Sequence, residues 1–433
     1  MPRLRHRALD GPAPGRPAAR GGRGGRDGRR PVSDARTPVG VDLLNPDVYA
    51  VDNQPRLWRR LQNDCPVGWH EPTPGVPGFW VLSRYADIME VFKDTTTFSS
   101  ARGNILGTLL AGGDPAGGQM LAVTDPPHHR DLRRILQGGF SARSMRRIAD
   151  SVRVVARRLV AEAVARGGCD FVADIAARIP LEAICELLAV PVEDRARMLE
   201  LTSTALDAES TPMEAARAQS DIMNYYAKLV PERRADPGDD AVSMLATGAI
   251  DGRPLSEVEV FLNCYNLIIG GDETTRFSGA GGLLALIEHP DQWRLLKERP
   301  DVIDSAVEEI VRWTSPALHI ARVATADTTV RGARIAAGDI VTLWIGAANR
   351  DEEVFEDPYA FDLARTPNKH MAYGFGPHFC LGGALARIEM RILFEEIRDQ
   401  VGTVRLAGDV AYSRSNFLTG VSRLPVAFTP STR

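Results

Sequence analysis

The chain has 433 residues, of which 44% are hydrophobic and 25% are charged, ordinary values for a soluble globular protein with a large core. Its five cysteines are widely spaced, odd in number and without a Cys-x-x-Cys pair, which argues against a disulfide framework and favours the reducing cytoplasm. The net charge is −4; the N-terminus lacks an apolar signal region, and the longest helical candidate contains charged residues, so we expect neither secretion nor a membrane span.

Residues 1–40 form an Arg- and Gly-rich segment. Its first 36 residues carry ten Arg and three Asp, a net charge of +7, which leaves −11 on the remainder. Without hydrophobic periodicity such a segment cannot bury enough surface to fold, so we predict a disordered tail over 1–40 and a folded domain over 41–433. An RGG-like nucleic-acid arm is the alternative. The first 36 residues have no aromatic side chain to stack on bases, and no nucleic-acid partner is expected.

The body alternates helical and short extended patterns. A helix is predicted over 55–61, a strand over 78–82, and helices over 145–166 and 180–188. Residues 101–125 contain six Gly and little periodicity, which predicts a long mobile loop with a functional role.

The longest helix is predicted over 256–287. Ser256 and Glu259 match a capping box at its start, and its length would be roughly 48 Å. A helix over 302–313, two or three short strands with turns at Gly332 and Gly338, and a last helix from just after Cys380 to about residue 400 complete the body. The pattern predicts one mainly α domain with small β-sheets.

A candidate metal-ligating cysteine, Cys380, stands directly before this last helix. Residues 373–382 read Tyr-Gly-Phe-Gly-Pro-His-Phe-Cys-Leu-Gly. Backbone N–H groups and the dipole at a helix start favour the thiolate, the form that ligates metal, and the glycines allow the backbone to approach a flat ligand closely. A lone cysteine is usually a buried core thiol, but the glycines, the aromatic pair and His378 make a ligand the better interpretation.

This stretch resembles the haem-binding signature of the cytochrome P450 family, Phe-Gly-x-Gly-x-His-x-Cys-x-Gly, with Tyr373 in place of the first Phe. The resemblance implies a single triangular-prism-like domain with a long central helix over haem b (iron protoporphyrin IX). It also implies that Cys380 is the iron's thiolate ligand, which favours O–O cleavage, and that Phe375, Gly376 and Gly382 belong to the haem-binding loop. Four further segments extend the resemblance over residues 41–433.

In the long helix, residues 270–275, Gly-Gly-Asp-Glu-Thr-Thr, resemble the family's oxygen-activation motif. Adjacent helical glycines cost about 1 kcal/mol each against Ala, which a local distortion opening a groove over the haem at Gly271 would explain. By the resemblance, Glu273 and Thr274 are an acid–alcohol pair that delivers protons. The alternative for Thr274 is a hydroxyl bonded to the preceding turn.

Two more sets of residues carry the resemblance. Glu309 and Arg312 match the family's Glu-x-x-Arg element, a buried bidentate pair that shapes the cysteine loop, and Arg365 is the candidate third member. The remaining residues match positions that hold the haem propionates: His129, Arg133, Arg322 and His378.

The function implied is a monooxygenase that hydroxylates or epoxidises a small organic substrate, free or bound to a carrier protein or peptide, to tailor a secondary metabolite. The chain has no flavin, nicotinamide or iron–sulfur motif, so the implied electron donors are a ferredoxin and its reductase. We expect the protein to be a monomer. Basic residues such as Arg133, Arg143 and Arg146 could steer an acidic partner.

Two other functions stay open. One is haem-dependent oxidative coupling or crosslinking of an aromatic or peptide substrate, which can proceed without the acid–alcohol pair. The other is a haem protein without turnover that serves as a binding or sensing module. The identity of the substrate cannot be read from the sequence; residues 101–125, 202–233 and 317–320 are the expected specificity regions.

Overall fold

The structure, a computed structural model, describes residues 36–50, 53–206 and 210–432. Residues 1–35, most of the predicted tail, therefore lie outside it. In the described part the α-helices are α1 (Gln54–Asp64), α2 (Tyr85–Lys93), α3 (Leu106–Leu110), α4 (His128–Gln137), α5 (Ala142–Ala165), α6 (Arg178–Leu187), α7 (Val192–Leu206), α8 (Pro212–Ala235), α9 (Ala241–Thr247), α10 (Glu257–Glu288), α11 (Pro290–Glu298), α12 (Ile303–Thr314), α13 (Ile345–Ala348) and α14 (Gly383–Gln400).

The β-structure is small and lies mostly in one mixed sheet. The strands are β1 (Val67–His70), β2 (Phe79–Leu82), β3 (Phe98–Ser99), β4 (Gly168–Asp170), β5 (Ala249–Ile250), β6 (Arg253–Pro254), β7 (His319–Ala324), β8 (Thr328–Val330), β9 (Ala333–Ile335), β10 (Ile340–Trp344), β11 (Val401–Leu406), β12 (Ala411–Tyr412), β13 (Val421–Arg423) and β14 (Pro425–Pro430). The main sheet has the order β1-β2-β10-β7-β3, with β10 and β2 parallel and the other neighbours antiparallel. A second sheet has the order β11-β14-β4.

The long helix α10 is the centre of the largest hydrophobic core. Its capping box is formed as predicted: the Ser256 hydroxyl accepts from the N–H of Glu259, and the Glu259 carboxylate accepts from the N–H of Ser256. The helix packs against α6, α8, α12 and α14, and buried side chains occur around its whole circumference. A helix that is buried all round crosses the interior of a large domain.

The segment 101–125 differs from the long structureless loop that the sequence predicted. It contains α3 and a short 3₁₀ turn at Leu121–Val123. The Asn263 side chain of α10 accepts a hydrogen bond from the N–H of Leu121 (2.8 Å), and the Asn104 carbonyl accepts one from the N–H of Ala321 (2.8 Å). These long-range bonds supply the order that local periodicity does not.

The last elements before the cysteine loop are also more regular than predicted. Where two or three short strands were expected, the chain forms β7, β8, β9 and β10.

Across the described residues, no helix combines the length and the apolar character that crossing a bilayer requires.

Residues 36–40 belong to the folded part, so the predicted boundary at residue 40 is too late. The N–H of Val39 donates to the carbonyl of Trp69 (2.9 Å), and the N–H of Trp69 donates to the carbonyl of Thr37 (2.8 Å). Val39 is 2% exposed, and the Arg36 guanidinium lies 3.6 Å from the centre of a Trp69 ring. The contacts of residues 36–40 could not be predicted from local sequence patterns, because the partner Trp69 is about 30 positions away.

This boundary predicts different outcomes for two truncations. Deleting residues 1–35 should leave the melting temperature unchanged, because that segment has few large apolar residues. Deleting residues 1–40 should cost about 2 kcal/mol, because it removes the buried Val39 side chain and two backbone hydrogen bonds. Thermal unfolding of both proteins tests this; an equal loss in the two would show that residues 1–35 contribute to stability.

Candidate active site

A single cavity brings together α10, the loop of residues 372–382 and the start of α14. The residues that line it include most of the predicted site residues, namely His129, Arg133, Gly271, Thr274, Arg322, His378, Cys380 and Gly382. Other walls are mainly apolar and come from the 101–125 segment, α6 and β7. Elements that are far apart in sequence therefore converge on one concave space, as expected of a cofactor site.

Cys380 presents its side chain to this cavity. Its N–H donates to the carbonyl of Tyr373 (2.8 Å), which closes the loop, and α14 begins three residues later. Burial raises the pKa of the Cys380 thiol, and the backbone N–H of Gly382 and the guanidinium of Arg133 lower it in part. The expectation that the helix start alone favours a thiolate is thus incomplete, because desolvation outweighs it. A coordinated metal ion would reverse this balance, since a coordinating thiol is deprotonated.

Four basic side chains gather around one side of the cavity. Burial lowers the pKa of Arg322 to about 10, and Asp125 opposes this shift. Burial also lowers the pKa of His129 to about 4 and that of His378 to about 2, assisted by the neighbouring arginines. The two imidazole rings lie 4.1 Å apart between their centres.

Counter-charge at these basic groups is limited to Asp125, which opposes the pKa shifts of Arg322 and His129 without forming an ion pair with either. Neither Arg133 nor Arg322 has an ion-pair partner among the described residues, and Arg322 is only 2% exposed. Its one hydrogen bond runs from Nη1 to the carbonyl of Ala321 (2.8 Å). Buried cations without anions are costly. The site therefore fits an anionic ligand, and two carboxylates such as the propionates of haem would satisfy it while Cys380 faces the metal.

Two residues of the predicted haem-binding loop do not reach the cavity. Phe375 packs against the sheet side of the protein, with the Lys93 ammonium 5.4 Å from its ring centre. Gly376 has φ +71°, and a Cβ there would lie 2.7 Å from the carbonyl oxygen of Phe92. This glycine is required by the approach of α2, and the contact of Phe375 and Gly376 with a cofactor stays a prediction. Gly382 does line the cavity.

The two adjacent glycines of α10 leave space that a larger side chain would fill. The helix continues without a break through Gly270 and Gly271, and a local distortion there stays a prediction. A Cβ on Gly271 would lie 3.1 Å from the Ile184 side chain, whereas one on Gly270 would meet nothing within 4 Å. Gly271 thus lets α6 pack closely, and Gly270 leaves space open over the cavity.

The Thr274 hydroxyl differs from those of other threonines in these helices. Thr202, Thr247 and Thr314 each donate to the carbonyl four residues earlier, at 2.8–2.9 Å. Thr274 lines the cavity, is half-buried, and makes no such bond within the described residues. Its hydroxyl is therefore available to water or to a ligand, and the alternative of a hydroxyl bonded to the preceding turn does not apply.

Glu273 faces away from the cavity, although it precedes Thr274 directly. Its side chain is 4% exposed and forms an ion pair with Arg276, one turn later on α10. Successive residues of a helix point about 100° apart, which separates the acid from the alcohol. The structure therefore brings only Thr274 of the predicted pair to the cavity.

Two buried carboxyl groups near the site were missed by sequence reasoning. Asp272 of α10 is fully buried, and desolvation raises its pKa to about 6. Glu389 of α14 lines the cavity; burial raises its pKa, and the proximity of Asp272 adds to the shift. Both groups are therefore held toward the neutral form. The only sequence signal was that each lies on the buried face of a helix.

The cysteine loop is supported by a buried network around Glu309. Arg312 forms a bidentate pair with this carboxylate (2.7 and 2.8 Å), both residues are 0% exposed, and Arg365 adds a third contact at 3.1 Å. Arg312 also donates to the carbonyls of Asn349 (2.9 Å) and Pro358 (2.8 Å). The network therefore ties α12 to the segment that leads into the cysteine loop.

Sequence reasoning missed two amides in this network. Asn368 donates to the Glu309 carboxylate (3.0 Å). Asn349 accepts from the N–H of Met371 at 2.6 Å, two residues before Tyr373. Neither asparagine lies within a helical or strand pattern, so no periodic signal could have indicated its role.

Comparisons with known proteins bear on this geometry. A family model described as Cytochrome P450 matches residues 192–397. Cytochrome P450 NovI of Streptomyces niveus is 46% identical over 392 residues, 90% of this chain and 96% of that protein. The chain belongs to the cytochrome P450 family.

A Steroid C26-monooxygenase of Rhodococcus jostii (strain RHA1) is 34% identical to this cytochrome P450 over 410 residues, 92% of this chain and 86% of that protein. The solved structure of P450 OxyD, involved in the biosynthesis of vancomycin-type antibiotics, is 36% identical, covers 90% of this chain and 100% of its own, and has a TM-score of 0.83. These similarities confirm the expected P450 fold, mainly α with small β-sheets and a long central helix. The protein is a haem-iron oxidoreductase of the monooxygenase family.

This cytochrome P450 has Tyr373 at the first aromatic position of the signature. Its hydroxyl is buried and has no hydrogen-bond partner in the described part of the chain, and the Arg387 guanidinium lies 4.4 Å from its ring centre. Arg387 in turn binds the Glu308 carboxylate at 2.6 and 2.9 Å. The aromatic ring therefore keeps its packing position, covered by an ion pair of α12 and α14.

Proposed function

We propose that this protein inserts one oxygen atom from O2 into a small organic substrate, by hydroxylation or epoxidation, in the tailoring of a secondary metabolite. The observation that carries the proposal is the Thr274 hydroxyl, which faces the same cavity as Cys380 without an internal hydrogen bond. The involvement of the similar P450 OxyD in the biosynthesis of vancomycin-type antibiotics supports the metabolic setting.

The cofactor proposed is haem b, with Cys380 as the iron ligand. Arg133, Arg322, His129 and His378 would hold its two propionates, which explains why these basic groups have no ion-pair partner in the described part of the chain. The chemistry that haem b supplies when bound is the reductive activation of O2. The protein's own contribution is to position the substrate and to control protons and water.

Thr274 is the main residue that controls proton delivery in this proposal. A hydroxyl donates one hydrogen bond and accepts others, so Thr274 can hold a water molecule in the groove left open by Gly270. Glu273 is the nearest acid along the helix, but Arg276 binds its carboxylate. We infer that Glu273 passes a proton to this groove only when its side chain leaves Arg276.

Electrons must come from another protein, and we propose a ferredoxin with its reductase. Arg130, Arg143 and Arg146 lie on α4 and the start of α5, are exposed, and have no ion-pair partner within the described residues. Arg133, which also lies on α4, is close enough to Cys380 to influence the pKa of the Cys380 thiol. Unpaired surface cations near the iron ligand suit an acidic electron donor.

Replacing Thr274 with Ala tests the proposed oxygen insertion. Haem binding should survive, because Ala suits a helix and adds no bulk. The product formed per reducing equivalent consumed should fall several-fold, and hydrogen peroxide should rise to match, because the group that holds the proton-delivering water is gone. The measurement is product, peroxide and electron consumption in one reaction mixture.

The matched control is Thr247→Ala, which removes a helical threonine hydroxyl that is already bonded within its own helix. It should leave the ratio of product to electrons unchanged. If Thr274→Ala also leaves that ratio unchanged, oxygen insertion assisted by Thr274 is wrong, and oxidative coupling becomes the better hypothesis.

A further inference from the structure

Two asparagine side chains, Asn104 and Asn266, line the cavity and have no assigned role. Both are half-buried, and neither carboxamide has a hydrogen-bond partner among the residues that the structure describes. A carboxamide offers two N–H donors and one carbonyl acceptor. Unused groups of this kind in an apolar cavity are the polar contacts that orient a ligand.

Asn263, one turn before Asn266, shows how an amide with a structural role is bonded on this helix. It is completely buried; its Nδ2 donates to the carbonyls of Gln119 (2.9 Å) and Glu259 (2.7 Å), and its Oδ1 accepts from Leu121. The 101–125 segment is thus already anchored to α10 by Asn263. Asn266 is not needed for that anchor and is left facing the cavity.

Both unused amides are held on ordered backbone. Asn266, Gly270 and Thr274 are spaced by four residues and therefore follow one face of α10. Asn266 precedes Thr274 by eight residues, a rise of about 12 Å. The Asn104 backbone carbonyl is fixed by the N–H of Ala321 in β7 (2.8 Å). The distance from the amide site to the reactive end of the cavity is consequently set by a helix.

The cavity offers no counter-charge to an ionised substrate. Its charged lining residues are the basic groups assigned to the haem propionates, the iron ligand, and Glu389, whose pKa is raised by burial. The other lining residues from the 101–125 segment, from residues 266–270 of α10 and from residues 317–320 are uncharged: Leu121, Ala122, Leu267, Gly270, Ala317 and Ile320. A carboxylate or ammonium group bound there would lose water without gaining a partner.

We propose that the substrate is an uncharged, mainly apolar molecule with an amide group that Asn266 binds, with Asn104 as a second polar contact in the same cavity. Asn266 lies about 12 Å along α10 from Thr274. An amide is complementary to a carboxamide, because each donates to and accepts from the other. The inference rests on the proposed function in one respect: Thr274 marks the reactive end of the cavity.

The test uses the haem-loaded enzyme and three probes of equal length: 6-phenylhexanamide, 6-phenylhexanoate and 7-phenylheptan-2-one. The ketone replaces the NH2 group of the amide with a methyl group, and the acid replaces it with a charge. Calorimetric titration at pH 7 gives three dissociation constants. We expect the amide to bind roughly tenfold more tightly than either of the others, the ratio that corresponds to about 1.4 kcal/mol.

Asn266→Leu, a replacement of similar volume, should reduce the amide-to-ketone ratio to about one and leave the ketone affinity nearly unchanged. Asn263→Leu is the control: it should lower the melting temperature and weaken all three probes together, with the ratio preserved. A carboxylate that binds as tightly as the amide, or a ratio that survives both Asn266→Leu and Asn104→Leu, would overturn the proposal.

Failure of this inference can be told apart from failure of the proposed function. The heat of binding does not depend on turnover, whereas the Thr274→Ala experiment measures only the fate of electrons. An amide preference that depends on Asn266, together with an unchanged product ratio in Thr274→Ala, would retain the amide site and reject oxygen insertion. The reverse pair of results would reject the amide site alone.

Discussion

Replacing Cys380 with Ser should abolish the thiolate-specific absorption of the reduced carbon monoxide complex and all turnover. Cys380 is the one cysteine among the described residues that line the cavity, and its loop is closed by the hydrogen bond from its N–H to the Tyr373 carbonyl. A hydroxyl is a much poorer ligand for iron than a thiolate. The basic cluster of Arg133, Arg322 and the two histidines is unchanged by the substitution, so haem could still enter. The measurement is the reduced carbon monoxide difference spectrum of protein expressed with adequate haem.

Cys169→Ser is the matched control for Cys380→Ser. Cys169 lies in β4, outside the cavity, and burial raises the pKa of its thiol to about 12. Its replacement should leave the spectrum intact. Retention of the thiolate spectrum in Cys380→Ser, or absence of any haem spectrum in the unmodified protein, would show that the ligand assignment is wrong.

Replacing Glu309 with Gln should greatly reduce haem occupancy rather than change catalysis alone. Glu309 accepts hydrogen bonds from Arg312, Arg365 and Asn368, and both it and Arg312 are completely buried. Loss of its charge leaves the buried guanidinium of Arg312 uncompensated, a cost of roughly 3–5 kcal/mol. Haem content per protein and the midpoint of urea unfolding should both fall.

Glu308→Gln, one residue earlier, is the comparison for this effect. Glu308 also binds an arginine, Arg387, but its side chain is 26% exposed and that of Arg387 is 36% exposed. Partly solvated pairs contribute little, so this variant should lose at most about 1 kcal/mol. Equal losses in the two variants, or a fully loaded and stable Glu309→Gln protein, would contradict the buried structural role of Glu309.

Local patterns allowed several features to be predicted. The capping box joins Ser256 to Glu259, and the ion pair joins Glu309 to Arg312, in each case within about one helical turn. The helix after Cys380 is likewise built from hydrogen bonds between residues one turn apart. Such contacts follow from helix geometry and do not depend on the rest of the fold. The motif spacing around Cys380, with its family resemblance, was sufficient to indicate the haem-iron chemistry.

The directions in which the Glu273 and Thr274 side chains point from α10 could not be predicted from their shared motif. Glu273 and Thr274 are neighbours in sequence, yet one binds Arg276 and the other faces the cavity. Which face of a buried helix meets the cavity depends on the elements packed around it, and α10 has buried residues on all sides. A hydrophobic pattern without a polar face contains no such information.

The sequence by itself therefore determined several of the helices and the chemical class of this protein, because these depend on short-range patterns. Tertiary structure alone decided which polar groups remain without partners. Asn263 is bonded to the 101–125 segment and Asn266 is not, and Asp272 approaches Glu389 across two helices. Residues 36–40 likewise join the domain through distant partners, Trp69 and Arg60. Burial and hydrogen bonding are settled between distant segments, so they appear only when the chain has folded.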